Sequence, residues 1–288
     1  MWTSSVCPYF KYKSFTFINT LVQLLIYFML LLMCATDQKY GMNEKMFLGV
    51  HPHILDEFGM RMPFKVVLEH EWWRLLTSLY VTHSFSTIVI NTFAQLILGF
   101  ALERLLGFCR MGFFYLLTGF SANALATACT DRYAAGPEPA ILGLLGGLMA
   151  MYLFLWERIK VILCYKVGGC CLLVFATCIS IYVSVMIAQP YNTYMKLHMI
   201  ECPDTFGLMG GLLYGFFFCW VFLPVKGKKF CQRESNEKCC FYAGLIITVS
   251  INSIVIPSLF LFPDSIKEYW SAEAEQKGLD SSDPPESN

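Results

Sequence analysis

Seven uninterrupted apolar runs, each about 20 residues long, constrain this chain more than any other feature. They run from Phe15 to Ala35, Phe85 to Leu105, Gly112 to Thr130, Glu138 to Trp156, Val167 to Ala188, Asp204 to Leu223 and Cys240 to Leu261. A bilayer core is about 30 Å thick, which a helix crosses in about 20 residues. A spanning strand needs about half that length and alternates in polarity, and these runs do neither. The spacing therefore predicts membrane-crossing helices, and the expected fold class is an all-α polytopic membrane protein. Composition agrees. Of 288 residues, 56% are hydrophobic and only 15% are charged, against roughly 45–50% and 25% in soluble proteins. Basic and acidic residues both number 21, which leaves no basic excess for a nucleic-acid partner.

The charges between the runs set an expected orientation. With the N-terminus in the cytoplasm, the cytoplasmic segments carry Lys11, Lys13, Arg104, Arg110, Arg158, Lys160, Lys166, Lys226, Lys228, Lys229, Arg233 and Lys238. The short opposite loops carry only Arg132 and Lys196, and the tail beyond the last run is acidic. Basic loops stay in the cytoplasm, so the expectation is N-in, C-out. The first run is too long for a cleaved secretory signal, and the absence of Arg before Arg61 argues against a mitochondrial presequence. The expected organisation is a cytoplasmic segment 1–14, a helical core 15–223 with a long interfacial loop 36–84, a basic cytoplasmic loop 224–239, a last span 240–262 and a disordered tail 263–288. Of the thirteen cysteines, Cys164, Cys170, Cys171, Cys178 and Cys219 sit in or near the runs and read as small buried hydrophobes. A bridge between Cys129 and Cys202, both in loops on the far side, is left open. No metal site is expected: His51 and His53 form a lone pair without further ligands at suitable spacing.

Three blocks carry more specific information: EWWRLLTSLYVTHSFSTIVINTFAQLILGFALERLLG from Glu71 to Gly107, GPEPAILGLLGG from Gly136 to Gly147, and GLMGGLLYG from Gly207 to Gly215. Together they resemble the rhomboid family of intramembrane serine proteases. The resemblance covers roughly residues 48–223 and includes Trp73 and Arg74 in the first long loop, Asn91 in the second span, and Leu102, Glu103 and Arg104 at that span's end. It implies a six-helix core, and the last run then adds one C-terminal transmembrane helix. Gly207, Gly211 and Gly215 recur every four residues, as do Gly143 and Gly147. Small residues at that spacing let membrane helices approach closely, so the fourth and sixth spans are expected to pack together through these glycines. Arg74 is expected to bridge backbone groups of the long loop.

The same resemblance implies a catalytic serine in a Gly-x-Ser-Gly segment opening the fourth span, and a histidine base in the sixth. Aligned on Gly136, Ala140 and Gly143, the serine position is Glu138 and the glycine after it is Pro139. Aligned on Gly211 and Gly215, the histidine position is Leu208. A hydroxyl nucleophile needs an adjacent base, and a leucine side chain accepts no proton. The family's oxyanion-stabilising His and Asn fall on Thr87 and Asn91. Losing one oxyanion donor costs about 100–1,000-fold; losing nucleophile and base together removes the mechanism. Glu138 precedes a proline, which suits an N-cap for the fourth span and a carboxylate at the positive end of a helix dipole.

The resemblance therefore implies an inactive rhomboid, comparable to the iRhom and Derlin groups. Such a protein would bind transmembrane clients for trafficking or quality control, with membrane lipids around it and no cofactor. Glu138, Leu208, Thr87 and Asn91 would line a vestigial site with no catalytic residue. Two other readings stand beside it: an active peptidase with unusual residues (Ser84 and Ser86 lie next to His83) and a structural subunit of a larger membrane complex. The expected location is the ER, Golgi or plasma membrane.

Overall fold

The computed structural model describes residues 13–36, 47–130, 133–154, 204–222, 235–261, 264 and 268. Among them, helices account for the architecture and no strand forms; an isolated antiparallel bridge joins Arg61 to Ala134. The long helices are α1 (Phe15–Thr36), α5 (Phe85–Leu106), α6 (Phe108–Cys129), α7 (Glu138–Phe154), α8 (Thr205–Phe222) and α9 (Ser235–Leu261). Three short ones, α2 (Pro52–Glu57), α3 (Pro63–Leu68) and α4 (Arg74–Thr77), fold the long loop. By length and composition, α1, α5, α6, α8 and α9 can each cross a membrane, and α7 is a shorter apolar helix. The expected span Val167–Ala188, Cys202, Arg132 and Lys196 lie outside the described residues. The chain is thus an all-α polytopic membrane protein whose outer helix faces meet lipid.

One boundary differs from the hydropathy reading. The third span was expected to open at Gly112, yet α6 starts at Phe108. Gly107 sits at φ +84° and donates its N–H to the Glu103 carbonyl at 2.7 Å, and its own carbonyl takes the Met111 N–H at 3.0 Å. That left-handed residue closes α5 and opens α6 with no loop between them. Arg110 lowers local hydropathy without interrupting the helix.

Helix α7 lies at the centre, and α8 packs on it more extensively than any other pair of helices does. The contact is backbone against backbone. A side chain at Gly211 would strike the Pro139 carbonyl, one at Gly215 the Gly143 backbone, and one at Gly146 the Leu212 carbonyl. Backbone cannot rotate out of the way, so these three positions need glycine. The expected stripe is redistributed in two places. Gly207 lies under the carboxylate of Asp204, not against α7, and Gly147 faces Phe114 and Leu102 instead of α8. Gly146, outside the four-residue repeat, makes the close approach.

A second set of contacts is polar and runs between α1, α5 and α6. Gln95 donates to Thr20 Oγ1 at 2.7 Å and to Gln23 Oε1 at 3.0 Å, and accepts from the Tyr115 hydroxyl at 2.8 Å. Gln23 donates to Tyr115 and to the Leu79 carbonyl, at 3.0 and 3.1 Å. All of these side chains are buried. At the end of α5, Glu103 reaches across to the start of α1. Its carboxylate accepts the N–H of Phe15 at 2.7 Å, the N–H of Thr16 at 2.9 Å and the Thr16 hydroxyl at 2.7 Å. The first N–H groups of a helix have no partner within it, and a carboxylate there also meets the positive end of the dipole. Arg104, the next residue, is exposed in the last turn of α5.

Glu103→Ala is therefore expected to cost about 2 kcal/mol, the scale of a lost cap plus charge-assisted hydrogen bonds. Denaturant-induced unfolding in detergent micelles checks this. A transition unchanged from the parent would show that Glu103 does not hold α1.

Candidate functional site

The site positions inferred from sequence gather at the end of the bundle where α5, α7 and α8 begin. Ser84 is the N-cap of α5, accepting the Thr87 N–H at 3.4 Å. Thr87 follows in the first turn, Asn91 one turn further, and both are buried. The start of α7 departs from the expected cap. The Pro137 carbonyl takes the first intrahelical bond, from Ile141 at 2.9 Å, so Glu138 is the first helical residue and not the N-cap. Gly136 precedes it at φ +152°, donates its N–H to the Ser78 carbonyl at 3.0 Å, and would meet the Glu138 carboxylate if it carried a Cβ. Glycine here turns the chain into α7 and leaves room for that carboxylate.

Glu138 is half-buried and accepts a 2.8 Å hydrogen bond from the Asn91 side-chain amide. The nucleophile position and the oxyanion-donor position of the resemblance thus touch, but as carboxylate and amide. Leu208, the base position, is buried with Leu142 and Leu145 of α7. Its neighbour one turn on, Gly211, abuts Pro139. Glu138 and Leu208 therefore share one end of the α7–α8 pair. The carboxylate turns toward Asn91 on α5, while the leucine packs into hydrocarbon.

A hydroxyl–imidazole chain lies one turn above Asn91. His83 Nδ1 is 3.3 Å from the Ala135 carbonyl, so that nitrogen carries the proton. Nε2 is then the acceptor, 3.3 Å from Thr87 Oγ1, which is 2.8 Å from Ser84 Oγ. Burial pushes the imidazole below its ordinary pKa range, against the opposing pull of the Ala135 carbonyl, so the ring is neutral near pH 7.

Three residues that the motif reading passed over complete the frame. Arg61, fully buried, pairs with Asp204 at 2.5 Å and donates to Asn123 Oδ1 at 3.2 Å. Asp204 in turn accepts the Gly207 N–H at 3.0 Å, which caps α8. Asn123 donates to the Leu75 carbonyl and Ser78 Oγ, at 2.9 and 3.0 Å. An acidic residue just before an apolar run is a helix-start signal, so Asp204 was legible; Arg61 carries no local signal. In the long loop, Arg74 donates to the carbonyls of Asp56 and Met60, at 2.9 and 3.1 Å, and pairs with Asp56 and Glu71. Trp73 and Trp72 are exposed and stack edge to face. Among the described residues no group of three or more potential metal ligands forms.

The Asn91–Glu138 contact is testable by a double-mutant cycle in the same micelle assay. Asn91→Ala is expected to cost about 1–3 kcal/mol, because it strips the buried donor from a carboxylate. Combined with Glu138→Ala, the loss should fall short of the sum by about 1 kcal/mol. Additive losses would mean that the two side chains do not interact.

Comparison with known proteins gives a consistent result. A Rhomboid domain matches residues 69–225. The chain is 30% identical over 183 residues to "RHOMBOID-like protein 6, mitochondrial" of Arabidopsis thaliana, covering 63% of this chain and 54% of that protein. It is 27% identical to "RHOMBOID-like protein 1" of the same plant, over 68% of this chain and 46% of the relative. It is 25% identical to "Rhomboid-like protease 2" of Toxoplasma gondii, over 75% and 68%. The chain thus spans about half the length of the two plant relatives and about two thirds of the third. With more than half of its residues inside the domain match, this protein belongs to the rhomboid family.

Proposed function

We propose that this protein is a rhomboid without peptidase activity, which binds membrane-spanning client proteins and acts in their trafficking or quality control. The observation that carries the reading is the Asn91–Glu138 hydrogen bond at 2.8 Å. It fills the serine position with a carboxylate and engages the amide that would otherwise face an oxyanion. Leu208, sealed among Leu142 and Leu145, supplies no base. Among the described residues the packing of α7 on α8 is close, so in this reading what remains is a membrane-embedded surface rather than a reaction. In this reading the N-terminus is cytoplasmic, the C-terminus lumenal or extracellular, and the protein sits in the ER, Golgi or plasma membrane. Trp73 and Arg74 then hold the long loop at the membrane surface.

A second reading rests on the Ser84–Thr87–His83 chain, with Thr87 Oγ1 3.3 Å from an unprotonated imidazole nitrogen. That arrangement resembles an activated hydroxyl. Its members are three or four residues apart at a helix N-cap, which is sufficient reason for the contacts. One assay separates the two. Purified protein is treated with a serine-directed fluorophosphonate and incubated with a transmembrane reporter substrate. No label and no cleavage are expected. Cleavage abolished by Thr87→Val or by Glu138→Ala would overturn the inactive reading.

A further inference from the structure

We infer that Glu138 is the contact point for a basic side chain of a client, a lysine or arginine near one end of the client's membrane span. The inference rests on the client-binding reading above and specifies its chemistry.

It follows from the charges at this end of the molecule. Arg61 is matched by Asp204 at 2.5 Å. Arg74 is matched by Asp56 at 3.0 Å and by Glu71, and Lys65 by Asp56 at 2.7 Å. His83 is neutral, with Nδ1 on the Ala135 carbonyl. Glu138 has a different kind of partner. Its hydrogen bond comes from Asn91, a neutral amide, and among the described residues no lysine or arginine forms an ion pair with it. The Glu138 carboxyl group at the head of α7 therefore meets no cation among the described residues. A charge at membrane depth without a countercharge is costly, and such residues pair with one another or with a ligand.

The local structure holds the carboxylate ready for such a pair. Asn91 fixes Oε1 from α5, and Gly136, lacking a Cβ, makes room for the carboxylate itself. Glu138 remains half-buried, not sealed as Leu208 is. A lysine or arginine has a long apolar stem that can run along hydrocarbon while its head reaches a polar level. A client span with such a residue near its end brings complementary charge to this position. An amide or hydroxyl in its place would leave the charge unmatched.

The test uses the full chain in phosphatidylcholine nanodiscs. The probes are fluorescent transmembrane peptides of leucine and alanine, carrying one lysine three residues from one end, or glutamine at the same place. The lysine peptide is expected to bind about tenfold more tightly, a difference of about 1.4 kcal/mol. Glu138→Gln, which retains an acceptor for Asn91, should erase the preference, and Glu138→Asp should keep part of it. Equal binding of the two peptides overturns this inference and leaves client binding standing. So does a lysine preference that survives Glu138→Gln, or one that disappears when phosphatidylethanolamine is added, since a lipid amine would then be the occupant. Binding of neither peptide, by protein shown to be folded, overturns the client-binding reading itself.

Discussion

The structure depends on the direct backbone contact between α7 and α8. Gly211 against Pro139, Gly215 against Gly143, and Gly146 against Leu212 allow no side chain between the two helices. In a bilayer, lipid tails are as apolar as the helices they surround, so hydrophobicity alone does not pull spans together. Close van der Waals approach and interhelical hydrogen bonds do. The glycines set the register of α7 against α8, and that register puts Glu138 and Leu208 at the same end of the pair. A site built on these two helices keeps its shape for reasons unconnected with catalysis. None of these three contacts involves the side chain of Glu138 or Leu208.

Helix α5 supplies the second constraint. Its polar residues Ser84, Thr87, Asn91, Gln95 and Glu103 each find a partner: an N-cap amide, a neighbouring hydroxyl, the Glu138 carboxylate, the Gln23–Tyr115–Thr20 group, and the start of α1. Buried polar groups in hydrocarbon are expensive unless paired. Pairing them along one helix ties α1, α6 and α7 to α5 at different depths. The Asn91–Glu138 bond belongs to this series. It ties the first residue of α7 to α5 through side chains, whereas Glu103 ties α1 to α5 by accepting backbone N–H groups. A carboxylate here is therefore compatible with the fold.

Much of this was legible in the sequence because apolar length, proline and glycine act locally. The starts of α1, α5 and α7, at Phe15, Phe85 and Glu138, are where the apolar runs begin. The α5–α6 junction was misplaced because a single left-handed glycine connects two helices without a polar loop, which hydropathy does not register. The four-residue glycine repeat pointed to the right helices but to two wrong contacts, since Gly207 and Gly147 face their own surroundings. The Glu138 cap was also misassigned, by one residue, because the Pro137 carbonyl rather than the carboxylate side chain closes the first turn. Arg61 could not be found at all: its partners Asp204 and Asn123 are 143 and 62 residues away in sequence. Long-range polar pairs of this kind leave no periodic trace in a single chain.

The central claim is that a rhomboid scaffold here holds membrane spans without cutting them. Photo-crosslinking in native membranes tests it most directly, with a photoreactive amino acid substituted at Met209, the exposed neighbour of Leu208 on α8. The account predicts adducts with full-length membrane-spanning proteins that remain intact over time. Adducts confined to cleaved fragments, or substrate turnover in the same membranes by the parent protein, would contradict it.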